Sequence, residues 1–340
     1  MKKLKFLPII VLALFTAFTL GACGNDDNPI DNPPYEPVVG DSVKFNHTVN
    51  GKYLTSIGST EYVYDVDNNL NYYNGVYSGW LYKVSVNPFE VNHKSNEHDY
   101  EARIYNVKFT KDGYISSFIV DETSEYYSTT AKFGVTYTND CIAKIVNYVS
   151  GSEEGLKMEG SIEYKFIWEN ENLSKIETSG EVSYSNGKKQ KVKYDITYTY
   201  GSLENKYRQY TPALTTFYDS DWFSPLIYLG YFGKSSKMLP IEANRKDIEI
   251  DYIYNGEDEA YISTSNIICS YELNDDGTIA CVFEEREYSE AFEDYFDTWV
   301  DYETYDFIYD NVQPDYGLHK KTVRMSDKGI KRAGFLNKRK

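Results

Sequence analysis

The densest supply of reactive groups lies at residues 284–310, where eleven carboxylates are opposed by Arg286 alone. Paired carboxylates hydrolyse glycosidic bonds when one stays protonated and the two face each other across a cleft. Spacing along a chain shows neither condition, and so dense an acidic face suits water or calcium better, so no catalytic residue is assigned. His93, His98 and Asp99 share a polar stretch with metal-ligand chemistry, but nothing in their spacing defines a site and solvated loop histidines are commoner. Asp65-x-Asp67-x-Asn69 opens like a calcium loop. It lacks glycine at the sixth position and glutamate at the twelfth, so a turn is the better reading. No nucleophile elbow, phosphate loop, dinucleotide fingerprint or paired-histidine zinc helix is present. The residues predict a protein that is not an enzyme and uses no metal or other cofactor.

Aromatic rings are the other resource. The chain has 35 Tyr in 340 residues, against 4 Trp. Tyrosine favours strands and joins an apolar ring to a wet hydroxyl, which suits half-buried sheet faces. Trp80, Trp222 and Trp299 lie away from the most regular segments, where they are candidate platforms for the apolar C–H faces of sugar rings. The competing reading has them packed under covering helices or loops. Cys269 and Cys281 flank the turn Asn274-Asp275-Asp276-Gly277, and a hairpin centred on Asp275 would set them opposite each other as a candidate disulfide. Cys141 is left without a partner, and the absence of any Cys-x-x-Cys excludes a zinc ribbon or thioredoxin-type site.

Charge restricts the partners. The net charge is −17. Leaving out the three lysines of residues 1–5 and the last 22 residues, 23 basic residues face 51 acidic ones. Nucleic acid is excluded as a partner, because no basic surface exists to release counterions. A glycan or a protein remains as the candidate ligand class. The last 22 residues, 319–340, carry nine Lys or Arg against Asp327. They read as a disordered basic tail, with binding to anionic envelope lipid as its functional alternative.

The elements that must position these residues are hairpins. One unit recurs: an aromatic-rich strand, a polar Asn/Asp/Gly turn, then aliphatic residues on the return strand. Phe109 leads through Lys111-Asp112-Gly113 to Ile115 and Phe118. Tyr137 leads through Asn139-Asp140 to Ile142 and Ile145, and Trp168 through Asn170-Glu171-Asn172 to Leu173 and Ile176. Tyr198 leads through Gly201 to Leu203, and Leu273 through Asp275-Asp276-Gly277 to Ile279 and Val282. Tyr64 with Asp67-Asn68-Asn69 and Leu70 is a degenerate first copy.

The strands alternate. Ile162, Tyr164, Phe166 and Trp168 fall on one face, and Glu163, Lys165 and Glu169 on the other. Period two with one apolar face means antiparallel sheet with one wet side. At Asn186-Gly187, a bulged loop is expected to keep Val182 and Tyr184 on the face of Val192 and Tyr194. Residues 210–240 break the pattern with apolar spacings of three and four, which predicts one or two short helices covering part of the sheet. Residues 284–301 space Tyr288, Phe292, Tyr295 and Trp299 helically; a helix and a long acidic hairpin compete there. The fold class is mainly β, a long antiparallel meander of hairpin repeats with one or two short helical segments.

The N-terminus carries an address. Residues 1–5 are basic and 6–20 almost wholly apolar, too short for a membrane span and right for a signal peptide. Leu20-Gly21-Ala22-Cys23 resembles a bacterial lipobox, which implies cleavage after residue 22 and lipid on Cys23. Several acyl chains anchor stably where one would not. Asp26 and Asp27 behind that cysteine resemble the export signal of surface-displayed lipoproteins, which implies an outer-membrane anchor facing the cell surface, the periplasmic face being the alternative. Residues 23–40 hold Pro29, Pro33, Pro34 and Pro37 and read as a tether. The division is signal peptide 1–22, lipidated tether 23–40, β domain 41–318 and tail 319–340.

Together the lipobox, the tyrosine-rich hairpins and the segment Leu229-Gly230-Tyr231-Phe232-Gly233-Lys234, running on to Leu239-Pro240, resemble uncharacterised lipoproteins of gut-type Gram-negative bacteria. Those carry a domain of unknown function akin in style to tyrosine-aspartate repeats. The resemblance spans residues 42–311. It implies a β-rich surface domain and no activity. The function expected is a non-catalytic, lipid-anchored envelope protein that presents a binding surface for glycan or envelope polymer. A structural subunit of an outer-membrane assembly is the alternative, and a glycosidase a distant third.

Overall fold

The structure, a computed structural model, describes residues 48–310 except 66, 68, 76–80, 87, 95–99, 218–222, 253–257 and 293–294. The signal peptide, Cys23, the tether, the tail, Trp80, Trp222, His98 and Asp99 lie outside the described residues.

The first strands are short: β1 (Thr48–Val49), β2 (Lys52–Ile57), β3 (Thr60–Tyr64), β4 (Leu70–Gly75), β5 (Leu81–Val86) and β6 (Phe89–Lys94). They lengthen through β7 (Glu101–Phe109), β8 (Ile115–Thr123), β9 (Tyr127–Thr138), β10 (Cys141–Glu153), β11 (Leu156–Glu169), β12 (Asn172–Tyr184) and β13 (Lys189–Glu204). Two helical turns follow, α1 (Pro212–Thr215) and α2 (Ser224–Tyr228), each with proline in its first turn, where a missing N–H costs nothing. Four long strands finish the chain: β14 (Met238–Tyr252), β15 (Asp258–Leu273), β16 (Ile279–Phe292) and β17 (Tyr295–Asp310).

Each strand from β2 onward pairs antiparallel with the next, and β17 returns to β2, with Phe307 opposite Ile57 and Asp310 opposite Tyr53. The meander thus closes into a sixteen-stranded barrel, with β1 a short arm on β2. Local turn chemistry sets the hairpins. Asn139-Asp140 and Asn170-Glu171 are two-residue turns with both residues at positive φ, the conformation that matches strand twist. At Asn186-Gly187 the loop has three residues, closed by Tyr184 N–H donating to Lys188 O. Val182 therefore faces Gln190, on the same side as Val192 and Tyr194, as expected from the apolar pattern.

Tertiary structure decides one open alternative and corrects two expectations. Of the two readings of residues 284–301, the acidic hairpin β16–β17 is the one that forms, because cross-strand pairing from Cys281–Asp306 to Phe292–Tyr295 satisfies the strand backbone. Tyr198, Gly201 and Leu203 all lie within β13, so no hairpin forms there. Cys269 faces Glu284, and Cys281 faces Glu272; both thiols are free. A β-bulge between Glu272 and Leu273 moves the hairpin centre and leaves the two cysteines on opposite faces of the sheet.

The apolar face of the meander points inward. Directly paired rings line it: Tyr62, Tyr73 and Tyr82 cross three strands, and Phe118 stacks on Phe133 at 4.5 Å between centroids. The described residues of 205–217 and 223–237, which carry both helices, pack inside the lumen. Phe217 meets Tyr164 and Phe166, Phe223 meets Phe118, and Tyr231 meets Phe89, so the segment touches walls on several sides. The predicted helices therefore cover the sheet from within.

This plug is irregular backbone in a dry interior, so its carbonyls need donors. Wall tyrosines supply them: Tyr194 Oη donates to Phe217 O and Tyr62 Oη to Pro225 O at 3.5 Å. Tyr271 Oη likewise donates to Pro240 O, just past the plug, at 2.7 Å. Many tyrosines are thus fully buried, beyond the half-burial expected of them.

The outer face is charged. Lys144–Glu163, Lys165–Glu177, Lys175–Asp195 and Lys189–Glu181 pair across neighbouring strands at 2.6–3.5 Å. A membrane-spanning barrel has the reverse pattern, apolar outside and wet within. No helix among the described residues is long and apolar enough to cross a membrane.

Candidate ligand surface

The long strands β13–β17 make one wall of the barrel taller than the rest. Strand register arranges its outward side chains in two adjacent rows. One row runs Asp195, Lys246, Thr264, Ser289, Thr298; the next runs Thr197, Asn244, Asn266, Glu287, Val300. All ten line a depression of about 600 Å³. Five strands at the usual spacing give each row a length of ~19 Å. The centre holds hydroxyl and amide groups, with charge near the ends. Thr264 Oγ1 and Ser289 Oγ lie 2.6 Å apart. Asn266 Oδ1 is buried with no hydrogen-bond partner among the described residues.

Tyr288 and Trp299 border the depression from the alternate pleat, their rings stacked at 5.2 Å and 17°. Trp299 is 37% exposed. Of the three tryptophans singled out by sequence, it alone is described, and its ring is not among the side chains of the two outward rows.

The inward side of the same wall carries two guanidinium sites. Arg245 lies over the Tyr194 ring at 4.4 Å, donates to Asp247 at 2.8 Å and to the plug carbonyl of Thr216 at 2.6 Å. Arg286 Nη2 donates to Glu284 Oε2 at 2.7 Å and Tyr305 Oη at 3.0 Å, and stands 3.1 Å from Glu303 Oε2. The Glu284 side chain is fully buried. Burial raises its carboxyl above the ordinary range, while Arg286 pulls it back. Glu284 and Glu303 share one guanidinium on one wall. That arrangement locks carboxylates in place; it does not set an acid and a base on either side of a substrate.

The remaining candidates are structural. His93 is buried between the rings of Tyr82 and Tyr100, with Nδ1 3.0 Å from Leu81 O. The Asp65 carboxylate accepts the N–H groups of Asp67 and Asn69 at 2.9 Å, which closes the β3–β4 turn. Gly233 and Lys234 sit in the plug, where Lys234 Nζ pairs with Asp140 at 2.6 Å. Sequence reasoning missed the two polar rows, because their members come from five strands and meet only through register. The one local signal is the run Ser263-Thr264-Ser265-Asn266, four consecutive uncharged polar residues.

No protein-family model matches this chain, and no curated protein does. The solved structures similar to it include two porin-like proteins. A porin-like protein from Bacteroides vulgatus ATCC 8482 is 14% identical, with a TM-score of 0.42 over 77% of this chain and 100% of that one. A porin-like protein from Bacteroides uniformis ATCC 8492 is 12% identical, with a TM-score of 0.26 over 65% of this chain and 95% of that one. Likenesses this distant say nothing about what this chain binds or conducts.

Proposed function

We propose that this chain is a non-catalytic protein of the cell envelope, held to the outer membrane by lipid on Cys23, whose barrel stands in water and binds glycan or envelope polymer on its tall wall. The charged exterior suits a tethered barrel better than an inserted one. Among the described residues, the rings of the plug pack against the walls across the lumen. The observation that carries the ligand class is the pair of registered rows of hydroxyl and amide groups over the depression. A polyhydroxyl chain offers donors and acceptors at a density that matches these rows. An uncharged polymer fits best, because an acidic one would be repelled by the carboxylates of β16 and β17.

The test is calorimetric titration of the folded chain with a panel of neutral and acidic polysaccharides, repeated on Asn266→Ala and Thr264→Val. Binding of a neutral glycan that weakens about tenfold in either variant, a loss of about 1.4 kcal/mol, supports the reading. Binding unchanged in both variants, or absent across the panel, overturns it. A protein-interaction role is favoured by a separate observation, the exposed Phe296, Tyr302 and Ile308 on β17. It predicts a partner that co-purifies from membranes and is lost in Tyr302→Asp.

A further inference from the structure

β17 pairs with β16 from Tyr295 to Asp306, but with β2 only from Phe307 to Asp310. Gly58 N–H donates to Asp306 O at 2.9 Å, the last tie on that side. Beyond it, residues 299–305 meet no neighbouring strand among the described residues. A long open edge presents a row of backbone donors and acceptors and is a template for another strand.

The side chains along this edge alternate. Trp299, Asp301, Glu303 and Tyr305 point one way, and Val300, Tyr302 and Thr304 the other. Tyr302 is 74% exposed and Val300 45%. A second copy of this edge would set carboxylates against carboxylates, which opposes pairing. The complementary strand is basic on one face and apolar on the other. This chain contains one: Lys320, Thr322 and Arg324 alternate with Lys321, Val323 and Met325.

We propose that the basic C-terminal segment folds back and adds to β17 as an antiparallel strand over residues 299–305. With Arg324 across from Asp301, Val323 falls across from Tyr302 and Met325 across from Val300, so both faces match at once. Reach is sufficient. The eight residues 311–318 span up to ~26 Å, enough to step past β2 and enter the edge beside Asp306. The nine basic residues of 319–340 against Asp327 also offset the eleven carboxylates of 284–310, so the match is electrostatic as well as steric.

Amide hydrogen exchange on the full chain and on a chain ending at Leu318 tests this, with circular dichroism confirming that both fold. The expected result is exchange about tenfold faster at residues 299–305 in the shortened chain. Adding a synthetic 319–340 peptide restores protection at low salt and not at 1 M salt. Arg324→Glu in the full chain reproduces the loss without shortening it. Equal exchange in the full and shortened chains overturns the proposal. So does protection that survives shortening and depends on protein concentration, which assigns the edge to a second copy.

Discussion

At the scale of single residues, the buried charges decide more than the exposed ones. Arg286 is the only described cation paired with Glu284, whose side chain is fully buried, and it also holds Glu303 and Tyr305. Breaking such a pair from one side leaves a charge without compensation. Arg286→Met is expected to lose about 3–5 kcal/mol in urea unfolding, and Glu284→Gln in the same background to recover part of it. Asp276 works in the opposite electrostatic setting. The Thr278 hydroxyl and N–H bind its carboxylate, and Lys52 and Asn50 reach it from the β1–β2 arm. These bonds hold its carboxyl well below the usual range. A depressed carboxyl contributes stability that is present above the unfolded value of ~3.9 and is lost as pH falls below it. The acid limb of a stability–pH curve should therefore be shallower in Asp276→Asn than in the parent chain. An unchanged limb would mean that the turn does not couple to folding.

At the scale of elements, the wall must bend sharply to enclose its plug, and glycines mark where. A Cβ built on Gly180 would stand 2.3 Å from Ser161 O and 2.6 Å from Ile162 Cγ1; one on Gly160 would stand 2.3 Å from Glu181 O. Neighbouring backbones approach closest there, as glycine in a strand allows. Gly180→Ala is expected to cost about 1–3 kcal/mol, measured by chemical denaturation, because the displaced atom is backbone and cannot swing away. The hairpins themselves were legible in sequence. Asn139-Asp140 and Asn170-Glu171 carry their turn conformation in their own residue types, and the alternation of 162–168 fixes which side is dry. The 284–301 segment was not legible, because its aromatic spacing fits a helix as well as a twisted strand and only pairing partners distinguish them.

At the scale of the whole molecule, the proposed barrel in water rests on the distribution of polarity. Aromatic rings and the plug pack inside, and Lys–Glu pairs lie on the outside of β10–β13. A chain of residues 41–318 is expected to stay soluble without detergent and to leave liposomes impermeable to ions. Conductance steps in a planar bilayer would contradict this reading of the wall. The exposed apolar residues cluster on β14–β17, including Ile268, Phe283 and Tyr302, so any contact with a partner should map to that side.

The sequence by itself determined the strand pattern, the turn positions, the wet and dry faces and the lack of recognisable catalytic motifs. These are local properties, written in period-two alternation and in residues that tolerate positive φ. Tertiary structure alone decided that β17 returns to β2, that the two helices go inside, and that Cys269 misses Cys281. Closure depends on twist and register accumulated over sixteen strands, a sum no single hairpin carries. The plug's apolar spacing demands burial without naming the surface that provides it. A turn centred on Asp276 and one bulge beside Leu273 together separate two cysteines that a hairpin centred on Asp275 would join.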